Sequence, residues 1–374
     1  MLLLAPSEGL GGGIERYLST IEDFLRYGGA DVHRVDMVRP GRTLNAACRS
    51  GFAARALRIG RSLDRVDCVV AGHRNLIPLA AAVAGVTGAR LAPVLFYGND
   101  IWELGLIHRN LLARTPSLFP LTISSYSAGA LSTVGIAPIL PPGIAPAWRS
   151  TLIEEGRNRA PSARIPTVLS VFRLPAWEGK GLPVLVDALA AVRREIGPVR
   201  LVVAGHGPAP NALKDFASSQ PGLEIYENPD DQMLARLYAT ADLFTLCTRI
   251  VRPNIGEGYG IVLLEAQLTG CPVVGPASGG SYDAYQEGIT GVTPASESAD
   301  ALADTLLDLF ADRNRLAQMG GRAVEWAAAV TDPDAYLRKV FSLLTGTRPA
   351  VAEFPRIPQQ RTYPKARAGA PVRS

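Results

Sequence analysis

Two carboxylates, Glu257 and Glu265, stand eight positions apart in the run EGYGIVLLEAQLTGCPVV. Gly258 and Gly260 follow the first, where the lack of a side chain lets a backbone approach a ligand closely. The apolar stretch from Ile261 to Leu268 predicts a helix, and the free N–H groups at its start favour an anion. Were the whole segment helical, the two carboxylates would lie roughly 12 Å apart along its axis, too far to serve one reacting atom. The pair therefore suits a grip on different parts of one elongated anionic ligand. The plainer reading is that Glu257 caps the helix and Glu265 lies on its solvated face.

The neighbouring residues bear on that choice. Val262, Leu263 and Leu264 continue an apolar stripe, Thr269 and Gly270 end the helix, and Cys271 to Val274 read as a short buried strand. A second glycine-rich loop, Pro276 to Ser281, precedes another helical stretch with Asp283. Two glycine turns thus bracket one helix and one strand, as a site at the C-terminal edge of a parallel sheet requires.

This stretch, as far as EGITG at 287–291, resembles the large retaining glycosyltransferase family called group 1, whose motif is glutamate, seven residues, glutamate. The resemblance implies an α/β chain of two facing Rossmann-like domains with an interdomain cleft, the GT-B architecture. It implies that Glu257 contacts a donor sugar and that Glu265 holds the ribose hydroxyls of a nucleotide. Gly258, Tyr259 and Gly260 would line the sugar and phosphate pocket.

LSVFRLPAWEGKGLPVLVDAL, residues 169–189, resembles the family's strand, loop and helix that carry its arginine and lysine for the diphosphate, here Arg173 and Lys180. A departing diphosphate gains negative charge that fixed cations stabilise, and loss of one such donor costs ~10² to 10³ in rate. The chain has four lysines against 34 arginines, so a lysine in this loop stands out from a solvated surface residue. VRLVVAGHGPAPNAL, residues 199–213, is a strand entering a glycine turn at Gly205. It departs from GxGxxG at Pro210, and Glu224 or Glu227 lies near the spacing of a dinucleotide enzyme's ribose acid. Alone, that segment leaves an oxidoreductase reading open. PDDQMLARLYATADLFTLCTR, residues 229–249, resembles instead the family's helix and strand leading into the glutamate motif.

The opening, MLLLAPSEGLGGGIERYLSTIEDFL, predicts a buried strand, a loop at Gly11, Gly12 and Gly13, and an amphipathic helix from Ile14. It is similar to the family's first glycine loop, which faces the donor phosphates, and this assigns Gly12 and Gly13 to the nucleotide sugar. GHRNLIPLA at 72–80 and FYGNDIWE at 96–103 fall where the family places acceptor-side residues. Many relatives carry a histidine before that second glycine and a glutamate two residues after it. This chain has Tyr97 and Asp100 there, which makes Asp100 the catalytic candidate and His73 a candidate substitute for the histidine. A histidine after a strand is also commonly structural.

A length of 374 residues and a 47% apolar composition suit two domains. The expected spans are 1–145 for the acceptor and 160–335 for the nucleotide sugar, joined by a polar linker at 154–166. The segment 346–374 is Pro-rich and basic and reads as a disordered, solvated tail, with peripheral contact with an anionic membrane at ~1 kcal/mol per charge as the alternative. No apolar run reaches about 18 residues, and no basic segment precedes the first strand. Four scattered cysteines make neither a disulfide framework nor a zinc spacing, which points to the cytoplasm. A net charge of +4 comes without any nucleic-acid motif, and no such partner is expected. The one literal DxD, Asp332-Pro333-Asp334, reads as a helix start with Pro at its first position. No metal or other cofactor is therefore expected, and Arg173 and Lys180 take the place of a cation.

The resemblance implies transfer of a mannose- or glucose-type hexose from a GDP- or UDP-sugar to a hydroxyl of a glycan, glycolipid or small molecule, with retention. The competing readings are an NAD-dependent oxidoreductase, a nucleotide-sugar epimerase, and a non-catalytic nucleotide-sugar-binding protein. The loop at 11–13 is GGG rather than GxGxxG, which weighs against the first.

Overall fold

The computed structural model describes residues 1–7, 13–38, 45–98, 100–102, 104–159, 165–249 and 256–350. They form two compact units, Met1–Gly143 together with the segment from Asp332, and Ile144–Thr331. Gly12, the linker residues 160–164 and the tail residues 351–374 lie outside the described residues.

The first unit is built on β1 (Leu2–Ser7), β2 (His33–Val38), β3 (Val69–Ala71), β4 (Ala92–Phe96) and β5 (Leu118–Thr122). Their order in the sheet is β2-β1-β3-β4-β5, with every pair parallel. Apart from the edge strand β2, HRVDMV, the strands are near-continuous apolar runs, as expected where helices cover both faces of a parallel sheet. Leu2, Leu4, Val69, Val94 and Phe96 are all 0% exposed.

The second unit repeats the plan with β6 (Thr167–Val171), β7 (Arg200–Gly205), β8 (Leu223–Glu227), β9 (Leu243–Thr245), β10 (Val273–Val274) and β11 (Gly291–Val292). The order is β11-β10-β9-β6-β7-β8, again parallel throughout. Val168, Leu201 and Leu243 from the sheet pack with Leu185, Leu189 and Leu306 from the covering helices. The chain runs outward from β6 in one direction through β7 and β8, and in the other through β9, β10 and β11. The reversal leaves a crevice between β6 and β9 at their C-terminal ends, where such sheets bind ligands.

Two helices depart from the expected boundaries. The expected linker overlaps the helix Pro146–Arg157, whose Leu152 is fully buried and which packs on the helices Asp231–Thr240 and Ile261–Leu268 within the second unit. The helix Pro333–Leu344 belongs with the first unit, not the second. Its Tyr336 ring lies 4.9 Å from that of Phe24, and its buried face of Tyr336, Leu337, Val340, Phe341 and Leu344 explains why the chain returns. Asp332 caps that helix by accepting the N–H of Ala335 at 2.8 Å with Pro333 at the start, as the sequence predicts. The tail begins in an ordered way, since the Ala350 N–H donates to the Gly28 carbonyl at 2.8 Å. No helix among the described residues is long and apolar enough to cross a membrane.

Candidate functional site

In the second unit, three loops leaving the C-terminal ends of β6, β9 and β10 bring the predicted chemistry together. The loop after β6 passes through Arg173, a short 3-10 turn at Leu174–Ala176, and Lys180 before the helix Leu182–Ile196. Gly181 caps that helix in the left-handed region, with φ of 76°. A Cβ there would come within 2.0 Å of the Cys247 carbonyl, so only glycine allows the loop this close to the chain after β9. That approach sets Lys180 beside Thr248.

The Lys180 ammonium donates to Glu257 Oε2 at 2.8 Å and to Thr248 Oγ1 at 3.4 Å, and the Thr248 hydroxyl donates to the same carboxylate oxygen at 2.9 Å. Glu257 is fixed by its backbone as well, bridging to Gly279, while its carbonyl accepts the Gly280 N–H at 2.7 Å. Burial works to raise the Glu257 pKa, but the Lys180 charge and the hydrogen bonds from Lys180, Thr248 and the Gly258 N–H outweigh it, holding the carboxyl below its ordinary range. Arg173 is exposed at the mouth of the same loop.

Gly260 starts the helix Ile261–Leu268 with φ of 80° and packs against Leu246 and Leu263, where any side chain would collide. Tyr259 is buried, its hydroxyl donating to the Asp283 carbonyl at 3.2 Å, so it braces the loop from inside. Glu257 is therefore not the helix cap. Gly205 ends β7 in tight contact with the Phe172 carbonyl. Gly13 opens the helix Gly13–Tyr27 in the first unit, and among the described residues nothing lies within 4 Å of where a Cβ would stand.

Glu265 is not on a solvated face. It is 1% exposed, with Oε1 accepting the Trp148 indole N–H at 2.9 Å and Oε2 accepting the Tyr238 hydroxyl at 2.9 Å. Its carboxylate thus ties together three helices, Pro146–Arg157, Asp231–Thr240 and Ile261–Leu268. Nothing local in the sequence marks Trp148 or Tyr238 as its partners, nor Thr248 as a partner of Glu257.

The acids that kept a dinucleotide reading open are engaged elsewhere. Glu224 forms a two-pronged ion pair with Arg200 at 2.6 and 2.7 Å, and Glu227 accepts the Ala209 N–H and pairs with Lys214 at 3.1 Å. In the first unit, Asp100 and His73 come together beyond β4 and β3, with His73 Nε2 3.9 Å from Asp100 Oδ2. Tyr97 turns its hydroxyl to the Gly72 carbonyl at 3.0 Å.

Residues 165–312 match the family Glycosyl transferases group 1. Across 305 residues, 75% of this chain and 76% of the relative, the chain is 29% identical to the GDP-mannose-dependent alpha-(1-6)-phosphatidylinositol monomannoside mannosyltransferase of Mycobacterium tuberculosis. It is 32% identical to the D-inositol 3-phosphate glycosyltransferase of Corynebacterium glutamicum over 158 residues, covering 40% of this chain and 36% of that one. In fold it is similar to Anabaena Alr3699/HepE in complex with UDP and glucose, with a TM-score of 0.68 at 17% identity over 92% of this chain and 99% of that one. WaaG, a glycosyltransferase involved in lipopolysaccharide biosynthesis, gives a TM-score of 0.66 at 17% identity, covering 93% of this chain and all of that one. Two parallel α/β units and these relatives define a glycosyltransferase of the GT-B class. The match to the group 1 glycosyltransferases spans residues 165–312, which lie in the second unit.

Proposed function

We propose that the chain transfers a hexosyl group from a nucleoside diphosphate sugar to an acceptor hydroxyl, with retention and without a metal ion. The observation that carries this reading is the Lys180–Glu257–Thr248 cluster at the crevice between β6 and β9, with Arg173 exposed in the same loop. Arg173 and Lys180 would face the diphosphate and stabilise the charge it gains on departure. Glu257 holds the Lys180 ammonium in place and, through its remaining lone pairs, accepts a hydroxyl of the donor sugar.

Glu257 is a poor covalent nucleophile here, because Lys180, Thr248 and Gly258 already stabilise its negative charge. This supports a route with no enzyme-bound sugar: the bond to phosphate loosens, an oxocarbenium-like centre forms, and the acceptor oxygen attacks from the face the phosphate leaves. The leaving phosphate takes the acceptor proton. Glu265 would hold the ribose. The names of the relatives support a mannose-type donor carried on GDP, and an acceptor that is a polyol or its lipid conjugate. An acceptor of the latter kind would be met at a membrane surface, where the basic segment from Arg348 is suited to lie.

The test is a thermal-shift series with GDP, UDP, ADP, dTDP and NAD, each with and without Mg²⁺. Saturation at ~100 times Kd adds about 2.7 kcal/mol, and a rise with one diphosphate that ignores Mg²⁺ is expected. A rise with NAD alone, or one that requires Mg²⁺, overturns the proposal. The matching sugar nucleotide then serves as donor in a transfer assay whose product anomer is read by NMR.

A further inference from the structure

The chain has 34 acidic residues, and among its described helices of eight or more residues all but three carry at least one. The exceptions are Ala46–Ser62, Ile77–Thr87 and Leu106–Arg114, which follow one another in the first unit and pack side by side. They also share one face of the sheet. The helix Gly13–Tyr27 carries the chain from β1 outward to β2, whereas these three carry it the other way, to β3, β4 and β5. Right-handed crossovers therefore put them on the opposite face from Gly13–Tyr27.

What this layer shows to solvent is basic and apolar. Its first helix exposes Arg49, Arg58 and Arg61, and its third exposes Arg109 and Arg114. The middle helix has no charged residue, and its outer side is Pro78, Ala82, Gly85 and Val86. The third helix is inverted for a core-packing element: it buries Leu112 but leaves Leu106 79% and Ile107 71% exposed. Two such neighbours are unfavourable in water unless something covers them. Asp64 and Asp67 lie past the end of the first helix, where Asp67 pairs with Arg65 at 2.7 Å and Arg90 at 3.8 Å, and Asp100 is buried.

Charge and shape select the occupant. A second copy of this face would be repelled by its like charge. A single-stranded nucleic acid would find no ring to stack on, because Phe52, the one aromatic residue of the three helices, is buried. We propose that this helix layer docks on an anionic phospholipid membrane, with Leu106 and Ile107 entering the headgroup boundary and the arginines reaching lipid phosphates. Leu106 and Ile107 begin their helix beyond the C-terminal end of β4, the end at which parallel sheets bind ligands, so docking holds that end of the first unit against the headgroups. The ordered start of the basic tail lies elsewhere. Ala350 is bonded to Gly28, ahead of β2, at the N-terminal end of the strands. That the membrane carries a transferase acceptor rests on the function proposed above; the docking itself does not.

The experiment is flotation of the full chain, without nucleotide, on vesicles of phosphatidylcholine alone and of phosphatidylcholine with phosphatidylglycerol. Binding to the anionic vesicles that weakens as salt is raised is expected. Leu106→Ser with Ile107→Ser should weaken it at least about tenfold and keep its salt dependence. Arg58→Gln with Arg61→Gln should weaken it about tenfold or more and flatten the salt dependence. All four side chains are exposed, so both variants should keep the wild-type circular dichroism and Tm. Changing the six basic residues from Arg348 onward to Gln should leave most of the binding in place. No binding to anionic vesicles, equal binding to both lipids, or a loss confined to the tail variant overturns the proposal. So does an effect of the arginines without one of Leu106 and Ile107, which would assign the face to a soluble polyanion or an acidic protein. The nucleotide thermal-shift series decides the transferase reading separately: vesicle binding without a nucleotide response keeps the docking face and removes the acceptor from it.

Discussion

Replacing Lys180 by Met tests whether one ammonium both holds the Glu257 loop and serves the diphosphate. The substitution keeps the stem and removes the charge, leaving the Glu257 carboxylate, 16% exposed, with only Thr248 and the Gly258 N–H as donors. A hydrogen bond to a charged group is worth about 1.5–3 kcal/mol, and the 28% exposure of Lys180 screens it toward the lower part of that range, about 2 kcal/mol. In a unit of this size each kcal/mol moves Tm by about 2–4 °C, so the second unit should melt about 4–8 °C lower by calorimetry. The double variant Lys180→Met with Glu257→Gln removes the unpaired charge and should recover most of that loss. Activity should not follow stability. With the sugar nucleotide found by thermal shift, transfer should fall by ~10² or more in the single and the double variant alike. A single variant that melts as wild type does would refute the structural half of the reasoning. Recovery of kcat in the double variant would refute the catalytic half.

Other consequences can be checked separately. Because Glu257 is held below its ordinary range, its stabilising contribution is fully present above the unfolded carboxyl pKa and is lost as pH falls through the folded value. Wild type and Glu257→Gln should accordingly differ by a constant amount above about pH 5 and converge in more acidic solution, measured by denaturant unfolding across pH. Trp148→Phe removes one of the donors on the buried Glu265 and should cost about 1–2 kcal/mol in urea unfolding. Gly181→Ala, with positive φ and a carbonyl 2.0 Å from the new methyl, should destabilise the second unit by well over about 1 kcal/mol. Gly179→Ala two residues earlier, with its nearest neighbour at 3.7 Å, should leave Tm within about 2 °C of wild type.

The local features of this chain were legible because their causes are local. The helix Ile261–Leu268 follows from a largely apolar stretch between Gly260 and Thr269, and the start at Asp332-Pro333 follows from capping and the missing proline N–H. The glutamate motif and the loop with Arg173 and Lys180 were likewise readable, as was the two-domain α/β plan, since buried parallel strands announce themselves as short apolar runs.

The pairings were decided elsewhere. Lys180 and Glu257 are 77 residues apart, and they meet only because β6 and β9 are neighbours in the sheet and Gly181 lets the two loops touch. A glutamate in an amphipathic stretch reads as solvated, yet Glu265 is buried because Trp148 and Tyr238 arrive from helices 117 and 27 residues earlier in the chain. The helix Pro333–Leu344 joins the first unit because its apolar face finds Phe24 there. Sequence pattern fixes where elements begin and end through short-range sterics and hydrogen bonding. Which side chains share a site depends on long-range burial, and that exists only once the sheets have formed.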